Sequence, residues 1–472
     1  MTFLVNPHSG SKGINEATIL PPVGLVYIAT YLRSKGFDCA ILDANIKATN
    51  PKKAARLSLE SNPCVIGVYL NSFMINWTRT FIQEIRSKDR NIPVGIGGPL
   101  ASLDGAKNLA KVGADFAIAG EGEIPMAKIS ENIASQRPYF EDVPGIYYRK
   151  DGETHSGPPN PRILDLDTLP FPDYSLLGSL EDYKVRAIRS PSAPIVTSRG
   201  CPFQCTFCSK AVFQSRTTFR SPENVVEEII SLKRHMGVKQ IDILDDNFTL
   251  KRSYVERVLD LLIEADLDLV INLQSGVRVE TLDEPILVKL KRAGVRKIGY
   301  GIESADGHVR ALCKKKLNMD KLRAAVIASK NLGITVSGYF IIGLPGETRA
   351  SVTDTIKLAK ELNLDAANFA MAIPFPGTEL YDYVDKNGRF LFDPEDNYDY
   401  GFFASQPFYE LDQIDTHEMT YRFDLAYRSF YTPRKIARDL LGMRSCSELG
   451  WYLEAGVSLL RGRFRTMLDK LR

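Results

Sequence analysis

The 472-residue sequence contains no run of about 20 apolar residues, so it offers no membrane-spanning helix. It lacks a surplus of either charge: 60 Lys and Arg stand against 57 Asp and Glu, a net +3 that gives no reason to expect a nucleic-acid partner. The opening residues, Met-Thr-Phe-Leu-Val-Asn-Pro, lack the basic stretch and long apolar segment of a secretory signal. Histidine is scarce, and His8, His155, His235, His308 and His417 are too scattered to pair as zinc ligands. Cysteine is scarce too, at an odd total of seven, yet three fall within eight residues. That distribution suits metal binding in a reducing compartment better than disulfides, and a cytoplasmic location is expected. The composition, 44% apolar and 25% charged, is that of a globular protein, and the length exceeds what one core usually organises.

Apolar runs and helical periods alternate along most of the chain. Phe3–Asn6, Cys39–Leu42, Val65–Leu70, Val94–Ile96 and Phe116–Ala119 read as strands buried on both faces, with Val23–Ser34 and Trp77–Lys88 as helices between them. This is an α/β pattern and predicts a Rossmann-like parallel sheet over residues 1–145, whose ligand would lie at the carboxyl ends of the strands. Seven prolines between Gly152 and Pro194 predict an extended linker, placed at 146–190. Strand signals resume at Ile195–Thr197, Ile241–Leu244, Val270–Leu273, Lys297–Gly301, Val336–Ile342 and Ala367–Ala372. Six βα units over 191–395 predict a partial (β/α)6 barrel, with active groups on the loops after its strands. Residues 396–472 read as a small, mostly helical region.

The three clustered cysteines, Cys201, Cys205 and Cys208, follow the first barrel strand as Cys-Pro-Phe-Gln-Cys-Thr-Phe-Cys. Three thiolates with no fourth nearby suit a [4Fe–4S] cube with one iron left open, whereas zinc would want a second pair. Cys-x3-Cys-x2-Cys at this position resembles the radical S-adenosylmethionine (SAM) superfamily. The resemblance implies that SAM chelates the open iron and is cleaved reductively to methionine and a 5′-deoxyadenosyl radical. It also implies SAM-side roles for Phe207 before the third cysteine, for Asp245 and Asn247 in Asp-Asp-Asn-Phe after the second strand, and for Glu303 and Ser304 after the fourth. Gly338 and Gly343 in Gly-Tyr-Phe-Ile-Ile-Gly-Leu-Pro-Gly-Glu match the fifth strand, along which adenine packs in that family. Pro374–Thr378 matches the sixth-strand turn of the branch that includes the anaerobic Mg-protoporphyrin ester cyclase and B12-dependent methyltransferases. Two readings of Arg278 stay open, a partner for the SAM carboxylate or a solvated surface group. Cys313 and Cys446 are open to two readings, hydrogen donors or radical partners in catalysis and small buried hydrophobes, of which a lone cysteine in a helical pattern favours the second.

In that branch the N-terminal domain binds cobalamin, and the resemblance spans about 400 residues. It implies corrinoid contacts at Gly24 in the first helix, Ser72 after the third strand, Gly97-Gly98 after the fourth, and Gly120 and Glu121 after the fifth. The Asp-x-His-x-x-Gly motif that supplies a cobalt ligand elsewhere is absent. Asn6-Pro7-His8 only approximates it, and the final glycine falls at Gly10 rather than at Ser11, so cobalamin is expected without a protein histidine.

The resemblance implies cobalamin-dependent methylation of an unactivated carbon. Radical rearrangement, ring contraction or oxidative cyclisation is the alternative, and a non-enzymatic cobalamin sensor a remote one. The expected partners are a small-molecule or lipid-like substrate and an external one-electron reductant. No residue is assigned as the catalytic acid, base or hydrogen donor. Tyr431, Arg434, Lys435, Trp451, Tyr452, Arg461, Arg463 and Arg465 mix basic and aromatic character, and two readings stay open: a helix face on an anionic membrane, or a solvated helix covering the barrel.

Overall fold

A computed structural model gives the fold and describes residues 1–8, 19–46, 49–183, 187–393, 406–412 and 414–441. Gly10, Ser11, Cys446, Trp451, Tyr452 and the arginines at 461, 463 and 465 lie outside the described residues.

The N-terminal unit is built on β1 (Thr2–Asn6), β2 (Cys39–Asp43), β3 (Val65–Tyr69), β4 (Val94–Gly97) and β5 (Phe116–Ile118), joined parallel in the order β2-β1-β3-β4-β5. Apolar residues on both strand faces explain why helices cover both sides. Val5, Ile66, Val68 and Ile96 pack with the helices Pro51–Glu60, Ile75–Lys88 and Gly105–Val112. Leu4, Val65, Phe116 and Ile118 pack with Val23–Ser34 and Glu123–Ala134. This strand order reverses direction between β1 and β3, so a ligand crevice opens at their carboxyl ends.

The sheet does not stop at residue 145. Antiparallel β6 (Ile146–Lys150) and β7 (Glu153–Ser156) extend it, joined by Asp151-Gly152, both at positive φ (51° and 84°) as a two-residue hairpin turn requires. The proline-rich stretch that follows is a packed strap. Tyr174 is fully buried and its hydroxyl donates to Pro194 O at 2.7 Å, while Tyr183 reaches Asp43 of β2 at 3.2 Å.

The second sheet is parallel throughout, with β8 (Ser192–Ile195), β11 (Gln240–Ile243), β12 (Val270–Val277), β13 (Val295–Glu303), β14 (Thr335–Ile342) and β15 (Ala366–Met371) lying side by side in chain order. β8 starts three residues before the expected Ile195, across Pro194. As the edge strand it tolerates a proline that a central strand would reject. A short antiparallel pair, β9 (Ser198–Arg199) and β10 (Thr218–Phe219), rises from the end of β8. Ile298, Tyr300, Ile302, Val336, Phe340 and Ile342 face outward into the helix layer. Inside, Asp242 accepts hydrogen bonds from Ser192 Oγ, from Gln240 Nε2 at 3.0 Å and from Asn272 Nδ2 at 2.9 Å, a polar floor. Antiparallel β16 (Gly388–Phe390) and β17 (Tyr409–Leu411) follow. The helix Thr416–Phe430 then covers the open edge, with Met419, Phe423 and Phe430 buried and Tyr427 Oη donating to Phe369 O of β15 at 2.9 Å. Among the described residues no helix is long and apolar enough to cross a membrane.

Candidate active site

The cysteine loop leaves the sheet through a closed neck. β9 and β10 pair across it, and Thr217 Oγ1 donates to Gly200 O at 3.1 Å. Gly200 turns the chain at φ 90°, where a Cβ would overlap Arg216 O, so only glycine fits. The loop's middle is held too. Thr206 N donates to Cys313 O at 3.1 Å, and Leu380 N at the start of the helix Glu379–Asn387 donates to Thr206 O at 3.0 Å. Cys201 and Cys205 are half-buried and Cys208 is exposed. Burial raises the Cys201 thiol, and the neighbouring Asp246 and Cys205 add to the rise. Among the described residues no three Cys, His, Asp or Glu side chains converge on one metal ion. A cube takes one thiolate at each corner, so its ligands stand farther apart than those of a single ion, and a donor set of three thiols suits it.

Three acidic groups close these strand ends, and each has its own environment. Asp245 is buried and accepts from Thr197 N at 2.6 Å, Thr197 Oγ1 at 2.5 Å and Ser198 Oγ at 2.7 Å, which pins the neck. Burial raises it to about 6 against those bonds. The carboxylate expected at SAM is therefore consumed by the protein, and its neighbour Asp246, raised by burial and bonded by Gly200 N–H, is the one beside the cysteines. Asn247 is buried with its Nδ2 unpartnered, a donor left for a bound group. Glu303 ends β13 at φ 65°, a strained conformation for a non-glycine residue and one common at functional sites. Its Oε1 meets Lys315 Nζ at 2.9 Å, and both side chains are about one-tenth exposed. Burial opposes the Lys315 charge, but the Glu303 carboxylate more than restores it. Ser304 is fully buried against Thr355 Oγ1 at 3.3 Å and receives Asp306 N at 3.2 Å.

Nothing in the sequence marks Lys315, because Lys314-Lys315-Lys316 reads as a solvated run. Arg278 is open to two readings from sequence, and its contacts decide between solvated and held. The guanidinium stacks 3.8 Å from the Phe203 ring of the cysteine loop and donates to Lys316 O at 2.7 Å, so it is neither solvated nor free. Phe207 presses its ring into an apolar cluster with Val309, Cys313, Leu344 and Leu380.

The glycines divide by side of the sheet. Gly338 shares the outward face with Val336 and Phe340, and a Cβ there would lie 2.5 Å from Leu364 Cδ1. The residues of β14 on the opposite, inward face are Ser337, Tyr339 and Ile341. Tyr339 lies across the interior over Gly299 and bonds Gln274 O. Gly343 turns at φ 97°, with its N–H given to Glu347 at 2.6 Å and its carbonyl to Tyr409 Oη. Glu347 is wholly buried and raised by burial to about 8, its Oε1 unpartnered.

On the N-terminal side, Gly24 and Gly97 face open space, where a Cβ would touch nothing within 4 Å. Gly98, at φ 99°, is packed closed by Tyr69 and Leu70 O. Ser72 is buried in a one-turn helix after β3. Gly120 turns at φ 86° beside Asn160. Glu121 does not face the crevice: it bonds Arg199 at 2.6 Å and Ile163 N at 2.8 Å. The same carboxyl edge docks on the barrel through Phe73 against Phe375, centroids 5.8 Å apart, and through Leu103 against Gly377.

Comparison with known proteins agrees in family and fold. Residues 195–359 match the radical SAM superfamily and residues 13–130 the B12 binding domain. An uncharacterised methyltransferase of Pyrococcus horikoshii is 30% identical over 424 residues, 89% of this chain and 90% of that one. The anaerobic magnesium-protoporphyrin IX monomethyl ester cyclase of Rubrivivax gelatinosus is 27% identical over 436 residues, 91% and 77% of the two chains. The structure of the radical SAM methyltransferase TsrM of Kitasatospora setae with cobalamin and a [4Fe–4S] cluster matches over 99% of both chains, at TM-score 0.73 and 17% identity, a likeness of fold.

Proposed function

Because the chain belongs to the B12-binding family of radical SAM enzymes, we propose that it uses SAM and cobalamin to methylate an unactivated carbon of a small-molecule or lipid-like substrate. The carrying observation is that one end of the barrel gathers the cysteine loop, Asn247 and the Glu303–Lys315 pair, while the open crevice edge of the N-terminal sheet docks on that same end. When bound, a cluster on Cys201, Cys205 and Cys208 with SAM supplies one-electron cleavage to a 5′-deoxyadenosyl radical, and methylcobalamin supplies the methyl group.

The chain's own residues then divide the work. Glu303, an acceptor held in place by Lys315, suits a ribose diol or an ammonium, and Asn247 Nδ2 suits a carboxylate. The turn at Gly343 and the ring of Phe207 wall the site with apolar surface. Gly24 and Gly97 leave room for the corrinoid, with Ser72 and the Gly120 turn beside the crevice and no histidine assigned to cobalt. The half-buried Ser337, Tyr339, Ile341 and Asn368 line the interior where substrate would enter.

The test is anaerobic reconstitution with SAM and an external one-electron reductant. The intact chain should form 5′-deoxyadenosine and carry a corrinoid detectable by mass spectrometry, and Cys201→Ala should form none. Equal product from both would end the radical reading, and lack of any corrinoid would end the methyl-transfer reading. Radical cyclisation or rearrangement is the second reading, supported by the 27% identical cyclase. It predicts no transfer of label from methyl-labelled SAM to product. Contact of the C-terminal helix with an anionic membrane is supported by the helix Pro433–Leu441, where Ile436, Leu440 and Leu441 are exposed beside Arg434 and Arg438. Failure to bind anionic vesicles would remove it.

A further inference from the structure

Arg199 stands two residues before Cys201, yet its side chain belongs to the other unit. Nη1 meets Glu121 Oε1 at 2.6 Å and Nη2 meets Glu123 Oε1 at 2.6 Å, with the guanidinium 5.0 Å from the Tyr27 ring centroid. All three charged side chains are more than nine-tenths buried. Among the described residues Arg199 makes the only ion pairs these two carboxylates have, since the neighbouring Arg220 is taken by Glu228.

Both ends of this fork are stiff. On the barrel side Arg199 is paired in register with Thr218, Asp245 fixes the two residues before it, and Gly200 after it turns the chain at φ 90° where a side chain would overlap Arg216 O. On the N-terminal side Asn160 Nδ2 staples Ala119 O and Glu121 O, each at 2.8 Å, and Glu121 also holds Ile163 N. Glu121 and Glu123 flank the turn at the carboxyl end of β5, the ligand edge of a doubly wound sheet. A planar guanidinium bonded at two nitrogens fixes position and angle together, where an apolar contact would let the units slide.

We propose that Arg199 is a positioning residue that couples the two cofactor sites, so that the cluster loop and the corrinoid edge each favour the other's bound arrangement. This rests on the cobalamin reading above. Coupling of this kind is reciprocal, and an affinity factor of about 5 to 150 is typical. The contiguous path is the turn at 120–123, the fork, the neck, and Cys201.

Hydroxocobalamin is titrated by absorbance into full-length protein with its cluster, and into the Cys201→Ala/Cys205→Ala/Cys208→Ala variant. The wild type should bind at least about 5-fold tighter with the cluster present. Arg199→Lys, which keeps charge but loses the fork, should bind both forms alike, and cobalamin should no longer alter the electron paramagnetic resonance spectrum of its reduced cluster. If Arg199→Lys does not fold, the Glu121→Gln/Glu123→Gln variant should show the same loss. Cluster-independent cobalamin affinity in the wild type, or coupling that survives in the variants, overturns the proposal. A wild type that binds no cobalamin at all overturns the functional reading and this inference with it.

Discussion

Replacing Glu347 with glutamine should remove a pH dependence from the stability of the barrel. Burial raises this carboxyl to about 8, against hydrogen bonds from Gly343 and Leu344 N–H that favour the charged form. Its folded pKa lies above the ordinary 4.5, so between those values the native state holds a proton that the unfolded chain has released. Stability from this group is complete below pH 4.5 and is lost as pH rises through 8. At about 1.4 kcal/mol per pH unit the whole gap is worth about 5 kcal/mol, of which about 2 kcal/mol falls between pH 6 and pH 8. Glutamine keeps an acceptor for Gly343 N–H and cannot ionise. Its amide N–H groups take the place of the unpartnered Oε1, a cost of about 1 kcal/mol. The wild type has lost about 2 kcal/mol by pH 6, so the variant should be slightly less stable than wild type at pH 4.5 and more stable from pH 6 upward, the two curves crossing near pH 5. Urea unfolding followed by circular dichroism at four pH values from 4.5 to 8 measures this. Two curves separated by a constant offset would show that Glu347 does not carry the proton.

Asp245→Ala should cost about 2–3 kcal/mol, because Thr197 N and two hydroxyls lose a buried acceptor, and the loosened neck should lower the iron bound per chain after reconstitution; unchanged iron would refute the assignment of Asp245 to the neck. Gly299→Ala would bring a Cβ to 2.5 Å from Tyr339 Cε2, and the ring must leave Gln274 O, at a cost of about 1–3 kcal/mol seen as a lower thermal midpoint. A midpoint equal to wild type would mean that Tyr339 does not lie over this glycine.

The parts of the fold legible in the sequence are those carried by local pattern. The buried strands announce themselves as apolar runs, and the three cysteines by spacing alone. Parity within a strand is harder to read: in Thr-Val-Ser-Gly-Tyr-Phe-Ile-Ile both faces are largely apolar, so nothing local says that Gly338 faces the helices and Tyr339 the interior. The β6–β7 hairpin does carry its signal, Asp151-Gly152, but its strands are short, partly exposed and followed by prolines. Arg199, Lys315 and Arg278 share a different obscurity. Each is a single cation whose partners lie in another unit, on another strand, or in a loop distant in sequence, and no period marks such a pairing.

Two of these cations, with Asp245, fix the path of the cysteine loop. Asp245 ties its neck to the barrel, Arg199 ties the neck to the N-terminal sheet, and Arg278 stacks on Phe203 inside it. Thr206 is held by Cys313 O on one side and Leu380 N on the other. The helix that supplies Leu380 is capped by Thr378, whose turn receives Leu103 and, through Phe375, Phe73 from the N-terminal unit. The loop is thus fixed from both units by bonds of different kinds, so no single substitution among these residues frees it completely. Such preorganisation places the variable part of recognition elsewhere. Ser337, Tyr339, Ile341 and Asn368 face the barrel interior and are only half-buried, and changes there can alter what is bound while the radical-generating geometry stays intact.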